Sequence, residues 1–153
     1  MRRFPRLARG RRPWSNTRRA RKRVLAREDP ELAEANRRGD PYLVYRDAHE
    51  RQCVLSLSDT WERITIGRGM SADVALTWDQ DVSRVHAELV RLADDWTVTD
   101  DGLSRNGTFV NDRRVEGRRR LMDGDLLRCG ETLLLFVSPF QAAEQTRPAR
   151  TLQ

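Results

Sequence analysis

Between Pro41 and Ser138 the apolar residues fall in short runs, several of them alternating with polar ones. Cys53, Leu55 and Leu57 alternate with Val54 and Ser56, and Ile64 and Ile66 flank Thr65. A period of two is what a strand with one buried face requires. The runs predict strands over 42–46, 52–57, 63–67, 74–77, 86–92, 96–99, 108–110, 113–115, 126–128 and 132–137. Turn-forming pairs lie between them: Asp94-Asp95, Asp101-Gly102, Asn111-Asp112, Asp123-Gly124 and Cys129-Gly130. Many short strands at this spacing indicate an all-β sandwich. No long helical period intrudes, which argues against a doubly wound α/β fold.

The flanks have a different texture. From Met1 to Arg23 there are eleven basic residues and no acidic one, broken by Pro5, Gly10 and Pro13, with no helical period before Ala20. Self-repulsion and little to bury predict disorder there. A short helix is expected over 30–38: Asp29 can cap it, Pro30 suits the first position, Glu31 favours the positive end of the dipole, and Arg37, Arg38 and Gly39 close it. With only Leu32, Ala33 and Ala35 as apolar content, that helix reads as a spacer or a weak dock. From Pro139 onward apolar periodicity is lost and a disordered tail is expected. The chain thus divides into a basic arm with a short helix (1–40), a sandwich (41–138) and a tail (139–153).

Charge sharpens this division. Residues 1–40 hold 14 basic and 5 acidic groups, whereas residues 41–138 hold 13 basic and 17 acidic. The net +6 therefore belongs to the arm, and the domain is mildly acidic. Phe4 and Trp14 interleave with the arginines, a composition suited to weak nucleic-acid contact through residues 1–23, and equally to a solvated tail. No apolar run reaches the roughly 18 residues of a membrane span, and no apolar block follows the basic N-terminus as in an export signal. A cytoplasmic protein with reduced thiols is expected. Cys53 and Cys129 fit no metal-ligand spacing and read as packed apolar groups. No cofactor or metal is assigned.

Three signatures follow one another at predicted turns: Gly67-Arg68, then Ser83-Arg84-Val85-His86, then Ser104-Arg105-Asn106-Gly107-Thr108-Phe109-Val110-Asn111. In order and spacing they resemble the forkhead-associated (FHA) domain, a phosphothreonine-peptide reader, over about residues 41–138. The resemblance implies two packed antiparallel sheets with the signatures on loops at one end. It implies that Arg68 contacts phosphate or buttresses the phosphate loop, that the Ser83 hydroxyl and amide bind phosphate oxygens, and that Arg84 adds a basic ligand. Asn106 is implied to hold the peptide main chain. Arg105 stands where the family often has a small hydroxyl residue, and could add charge to the phosphate or reach past it. Gly67, His86, Gly107 and Thr108 are implied as supports, His86 tying the phosphate loop to its neighbours. Asn111-Asp112 replaces the usual Asn-Gly in a hairpin expected to survive the change.

The resulting reading is a non-catalytic adapter for phosphothreonine-containing proteins, among them a Ser/Thr kinase or its substrate. Ser83 with His86 invites comparison with a catalytic pair, but no Gly-x-Ser-x-Gly elbow surrounds the serine and His49 lies in a turn-like stretch. Two alternatives stand beside the adapter: a nucleic-acid-binding protein acting through its arm, and a scaffold whose binding is independent of phosphate.

Overall fold

The computed structural model describes residues 30–58 and 60–146, together with Ala20 and Val24. The Asp29 cap, the 147–153 tail and the basic run over residues 1–23, Ala20 excepted, lie outside the described residues. Among the described residues eleven strands form two sheets. The strands are β1 (Tyr42–Arg46), β2 (Gln52–Ser56), β3 (Arg63–Gly67), β4 (Val74–Ala75), β5 (Ala87–Leu92), β6 (Asp95–Asp100), β7 (Thr108–Val110), β8 (Arg113–Arg114), β9 (Gly117–Arg120), β10 (Leu126–Cys129) and β11 (Thr132–Val137). One sheet runs β2-β1-β11-β10-β7-β8, the other β4-β3-β5-β6-β9. The fold is the all-β sandwich expected. Every pair is antiparallel except β3 with β4, which is parallel.

Sandwich closure follows from the side-chain alternation. Ile64 and Ile66 of β3, Leu89 of β5 and Val98 of β6 face Leu43, Leu127 and Phe136 of the other sheet in one buried cluster. Cys129 belongs to it, and burial pushes its thiol up to about 12; neither cysteine is in a disulfide. The six-stranded sheet is apolar on its outer face as well. Tyr42, Val44, Leu126 and Leu135 form a second cluster with Ala20, Val24, Leu32 and Ala35. That is why β11 reads Leu-Leu-Leu-Phe-Val without alternation: a strand covered on both sides has no polar face.

The cover is α1 (Pro30–Arg38), at the bounds the sequence signals predict. Leu32 and Ala35 point to the sheet, and the Tyr42 hydroxyl donates to Asn36 Oδ1 at 2.9 Å. Gly39, at φ +80°, ends the helix and donates its N–H to Ala35 O at 3.0 Å. Ala20 and Val24, four residues apart, are helical and buried in the same cluster. The helix is a packed part of the domain, more than the spacer its composition suggests.

Two elements depart from the sequence reading. Strand β9 was not expected, because Arg118-Arg119-Arg120 shows no alternation. It forms as an edge strand on β6, where charged residues are tolerated and guard the open edge. The expected disordered tail from Pro139 instead begins with helix α2 (Pro139–Thr146). Local capping replaces apolar periodicity there. Ser138 O accepts Ala142 N at 2.9 Å, Pro139 takes the first helical position, and Gln141 Oε1 accepts Asp123 N at 2.7 Å.

Candidate functional site

Three connections meet at one end of the sandwich: β3–β4 (68–73), β4–β5 (76–86) and β6–β7 (101–107). Gly67 sets their closest approach. A Cβ at that position would lie 1.9 Å from Arg84 O, so only glycine lets the second loop rest on the end of β3. The two loops are then joined along their backbones. Arg68 N donates to Ser83 O at 2.9 Å, and Gly69 N to Arg84 O at 3.2 Å. The Arg68 side chain reinforces the joint, its Nε donating to Val82 O at 2.9 Å.

His86 joins the third loop. Its ring is fully buried; Nδ1 accepts the Ser83 amide at 3.0 Å, and Nε2 lies 2.9 Å from Gly107 O. A carbonyl only accepts, so Nε2 carries the proton and the ring is the neutral tautomer with both nitrogens in use. The bond to Ser83 comes from its backbone N–H, not its hydroxyl, so the two residues do not form a nucleophile–base pair. The Ser83 amide, implied by resemblance to bind phosphate, is spent on His86. The hydroxyl differs: Ser83 Oγ accepts Arg105 N at 2.9 Å and keeps its own hydrogen to donate.

Asn106 and Gly107 form the tip of the third loop. Asn106 Nδ2 donates to Asp81 O at 2.8 Å, bridging to the second loop. Gly107, at φ +91°, occupies the left-handed region that a side chain would strain. The structure brings Arg68, Ser83, Arg84, Arg105 and Asn106 to this one end; Arg84, Arg105 and Asn106 are exposed, and Arg68 and Ser83 partly so. Thr108 supports the third loop from inside the domain. It is fully buried, and its hydroxyl donates to Asp100 Oδ2 at 2.8 Å, eight residues back.

Asp100, which no signature includes, anchors the third loop. Its Oδ1 accepts the amides of Leu103 and Ser104 at 3.0 and 3.1 Å, and its Oδ2 accepts the hydroxyls of Ser104 and Thr108. Ser104 Oγ in turn accepts Gly107 N at 2.9 Å. Burial pushes the Asp100 carboxyl up, but the Ser104 and Thr108 hydrogen bonds outweigh it and hold the group below the usual carboxylate range. Asp79 anchors the second loop. Its Oδ2 accepts Glu131 N at 2.8 Å and Thr132 Oγ1 at 2.6 Å, tying that loop to the β10–β11 turn. An aspartate ahead of small turn residues is an Asx-turn signal, which could have flagged Asp100 in Asp100-Asp101-Gly102-Leu103-Ser104. Between β7 and β8, Asn111 and Asp112 both adopt positive φ (49° and 74°), so the hairpin forms without the usual glycine.

Residues 64–130 match the family model of the FHA domain. The chain carries an FHA domain. Its fold is shared with the FHA domain of the CT664 protein of Chlamydia trachomatis, at 26% identity and a TM-score of 0.58 over 65% of this chain and 97% of that one. An FHA domain with phosphothreonine-dependent interactions matches at 31% identity and a TM-score of 0.53, over 64% of this chain and 95% of that one. The oxoglutarate dehydrogenase inhibitor of Corynebacterium jeikeium is 39% identical over 77 residues, 50% of this chain and 51% of that one. The chain thus spans about half the length of the curated relative it matches. Among the described residues of this FHA protein no group of His, Cys, Asp or Glu could hold a metal ion, and no helix is long and apolar enough to cross a membrane.

Proposed function

We propose that the chain is a non-catalytic adapter that binds phosphothreonine-containing segments of partner proteins at the loop end, as in Ser/Thr kinase signalling. One observation carries this reading: the loops bearing Ser83 and Asn106 are locked together through a buried neutral His86, with the guanidinium-bearing residues Arg68, Arg84 and Arg105 around them. A phosphate monoester brings roughly −1.5 to −2 charge and three acceptor oxygens at neutral pH. Donors fixed before binding lose little entropy when they engage it, which favours a tight and selective complex.

The roles then divide by what each group has left. Ser83 offers its hydroxyl hydrogen, while its amide stays with His86. Arg68 has its Nε engaged with Val82 O and presents the outer nitrogens of its fork. Arg84 and Arg105 supply exposed charge, and Asn106 supplies an amide beside the turn to hold the peptide backbone. The phosphothreonine-dependent interactions of the 31%-identical FHA domain support the ligand class.

Calorimetry of the full chain with one peptide carrying phosphothreonine, phosphoserine, Glu or unmodified Thr tests the reading. Phosphothreonine should bind best. The extra methyl over phosphoserine is worth about 0.8 kcal/mol by transfer, rising to roughly 1–3 kcal/mol in a fitted pocket. A carboxylate, planar and singly charged, should bind poorly. Equal affinity for unmodified Thr would remove the phosphate reader and leave a phosphate-independent scaffold.

A further inference from the structure

One arginine that no signature includes sits against the binding turn. A Cβ built on Gly107 would meet Arg114 Cζ and Nε at 3.1 Å and Nη2 at 3.3 Å. Three guanidinium atoms at near-equal distance mean that the group turns its flat face to Gly107. A side chain there would push the guanidinium back by a few tenths of an ångström, so the bare Cα beside Asn106 serves as its seat. Arg114 belongs to the short edge strand β8, opposite Phe109, and it is exposed.

Among the described residues no carboxylate forms an ion pair with it: the pairs are Arg37–Glu34, Arg38–Glu34, Arg63–Glu88 and Arg120–Asp95. An arginine seated by its face keeps its N–H groups in the plane of the fork, where they suit a carboxylate. The surroundings make this unusual: residues 41–138 hold 17 acidic groups against 13 basic ones, so most of the domain repels an acidic peptide.

Building on the proposed phosphothreonine site, we propose that Arg114 selects ligands with an Asp or Glu near the phosphothreonine, on the stretch that crosses the Asn106–Gly107 turn. The phosphate engages Ser83 and its arginines, Asn106 holds the main chain, and Arg114 pairs with the flanking carboxylate. Substrates modified within acidic sequence are then preferred over those in basic sequence.

The test uses the full chain and a phosphothreonine peptide with neutral flanks, into which a single Asp is placed at each flanking position in turn. Calorimetry gives the ratio of acidic to neutral affinity for wild type, Arg114→Ala, Arg114→Lys and Arg114→Glu. For wild type one position should raise affinity roughly threefold to tenfold, in the range of a partly exposed charge-assisted pair. The ratio should fall to about one in Arg114→Ala and to an intermediate value in Arg114→Lys, which keeps the charge without the fork. In Arg114→Glu the preference should invert toward a Lys at that position. A wild-type ratio that survives in Arg114→Ala, or the same proportional loss for every peptide, overturns the proposal and leaves Arg114 as packing for Gly107. Absence of an acidic preference in a wild type that binds the neutral phosphopeptide also overturns it. If the neutral phosphopeptide itself does not bind, the phosphothreonine reading fails and takes this one with it.

Discussion

At the loop end of the sandwich, polar groups are buried and bonded to named partners. On the outer face of the six-stranded sheet, apolar side chains of helix and strand exclude water. Asp100 accepts four hydrogen bonds within the third loop, and His86 uses both ring nitrogens to join that loop to the second. Leu32, Ala35, Val44 and Leu135 merely fill space against one another. Directional bonds fix where atoms lie, whereas apolar burial adds stability while tolerating changes of shape. A recognition surface needs the first kind and a cover needs the second. Damage to the two regions should therefore be distinguishable, one in binding and the other in stability alone.

The largest expected effect is at the joint between the first two loops. Gly67→Ala places a methyl 1.9 Å from Arg84 O, and backbone has to move to admit it. The cost should be about 3 kcal/mol or more, with phosphopeptide binding lost together with thermal stability. A denaturant titration showing a variant as stable as wild type would mean that the loops are not locked through Gly67.

Next comes the anchor of the third loop. Asp100→Asn should cost about 2 kcal/mol near neutral pH, since the amide serves two hydroxyls and two N–H groups poorly. Its sign with pH follows from the lowered folded-state value. A carboxylate depressed by folding contributes stability that is present above its unfolded value near 4 and is lost as pH falls through the lower folded value. The gap between wild type and Asp100→Asn should therefore be full at neutral pH and narrow below about pH 4. Melting temperatures collected against pH check this; a gap that widens in acid would contradict it.

On the cover, Leu32→Ala should cost about 2–3 kcal/mol through the cavity it leaves over Tyr42 and Val44. Removing residues 1–40 should cost more, because the outer face loses Ala20, Val24, Leu32 and Ala35 together. The sequence reading made the short helix a spacer or a weak dock. The buried residues between Ala20 and Ala35 make the arm part of the packed domain, and melting of the truncated chain decides the point.

What could be read in advance follows the same division. Gly67, Ser83, His86, Asn106 and Gly107 are legible because a motif is a set of residue types at positions where geometry tolerates little else. The strand runs are legible because a half-buried strand must alternate. Asp79 was hidden because an aspartate near a turn looks the same whether it anchors a loop or faces water, and the Asx-turn pattern at Asp100 marks a turn without naming its buried partner Thr108. Strand β9 and helix α2 were hidden for another reason: one is held as an arginine-rich edge by its neighbour, the other by caps, and neither writes an apolar period. The outer cover was half legible. The unbroken apolar run of β11 called for something over both faces, but nothing in the weakly apolar Pro30–Arg38 segment announced that it would supply it.

The division of labour is tested most directly by titrating one phosphothreonine peptide into wild type, Ser83→Ala and Leu32→Ala side by side, at a temperature where all three are folded, with melting recorded on the same samples. Ser83→Ala should melt close to wild type and lose roughly 1.5–3 kcal/mol of binding, the worth of one charge-assisted hydrogen bond. Leu32→Ala should melt lower and bind as wild type does. If Ser83→Ala binds like wild type, or Leu32→Ala loses affinity in step with its stability, the loop end is not the independent phosphate-binding surface described above.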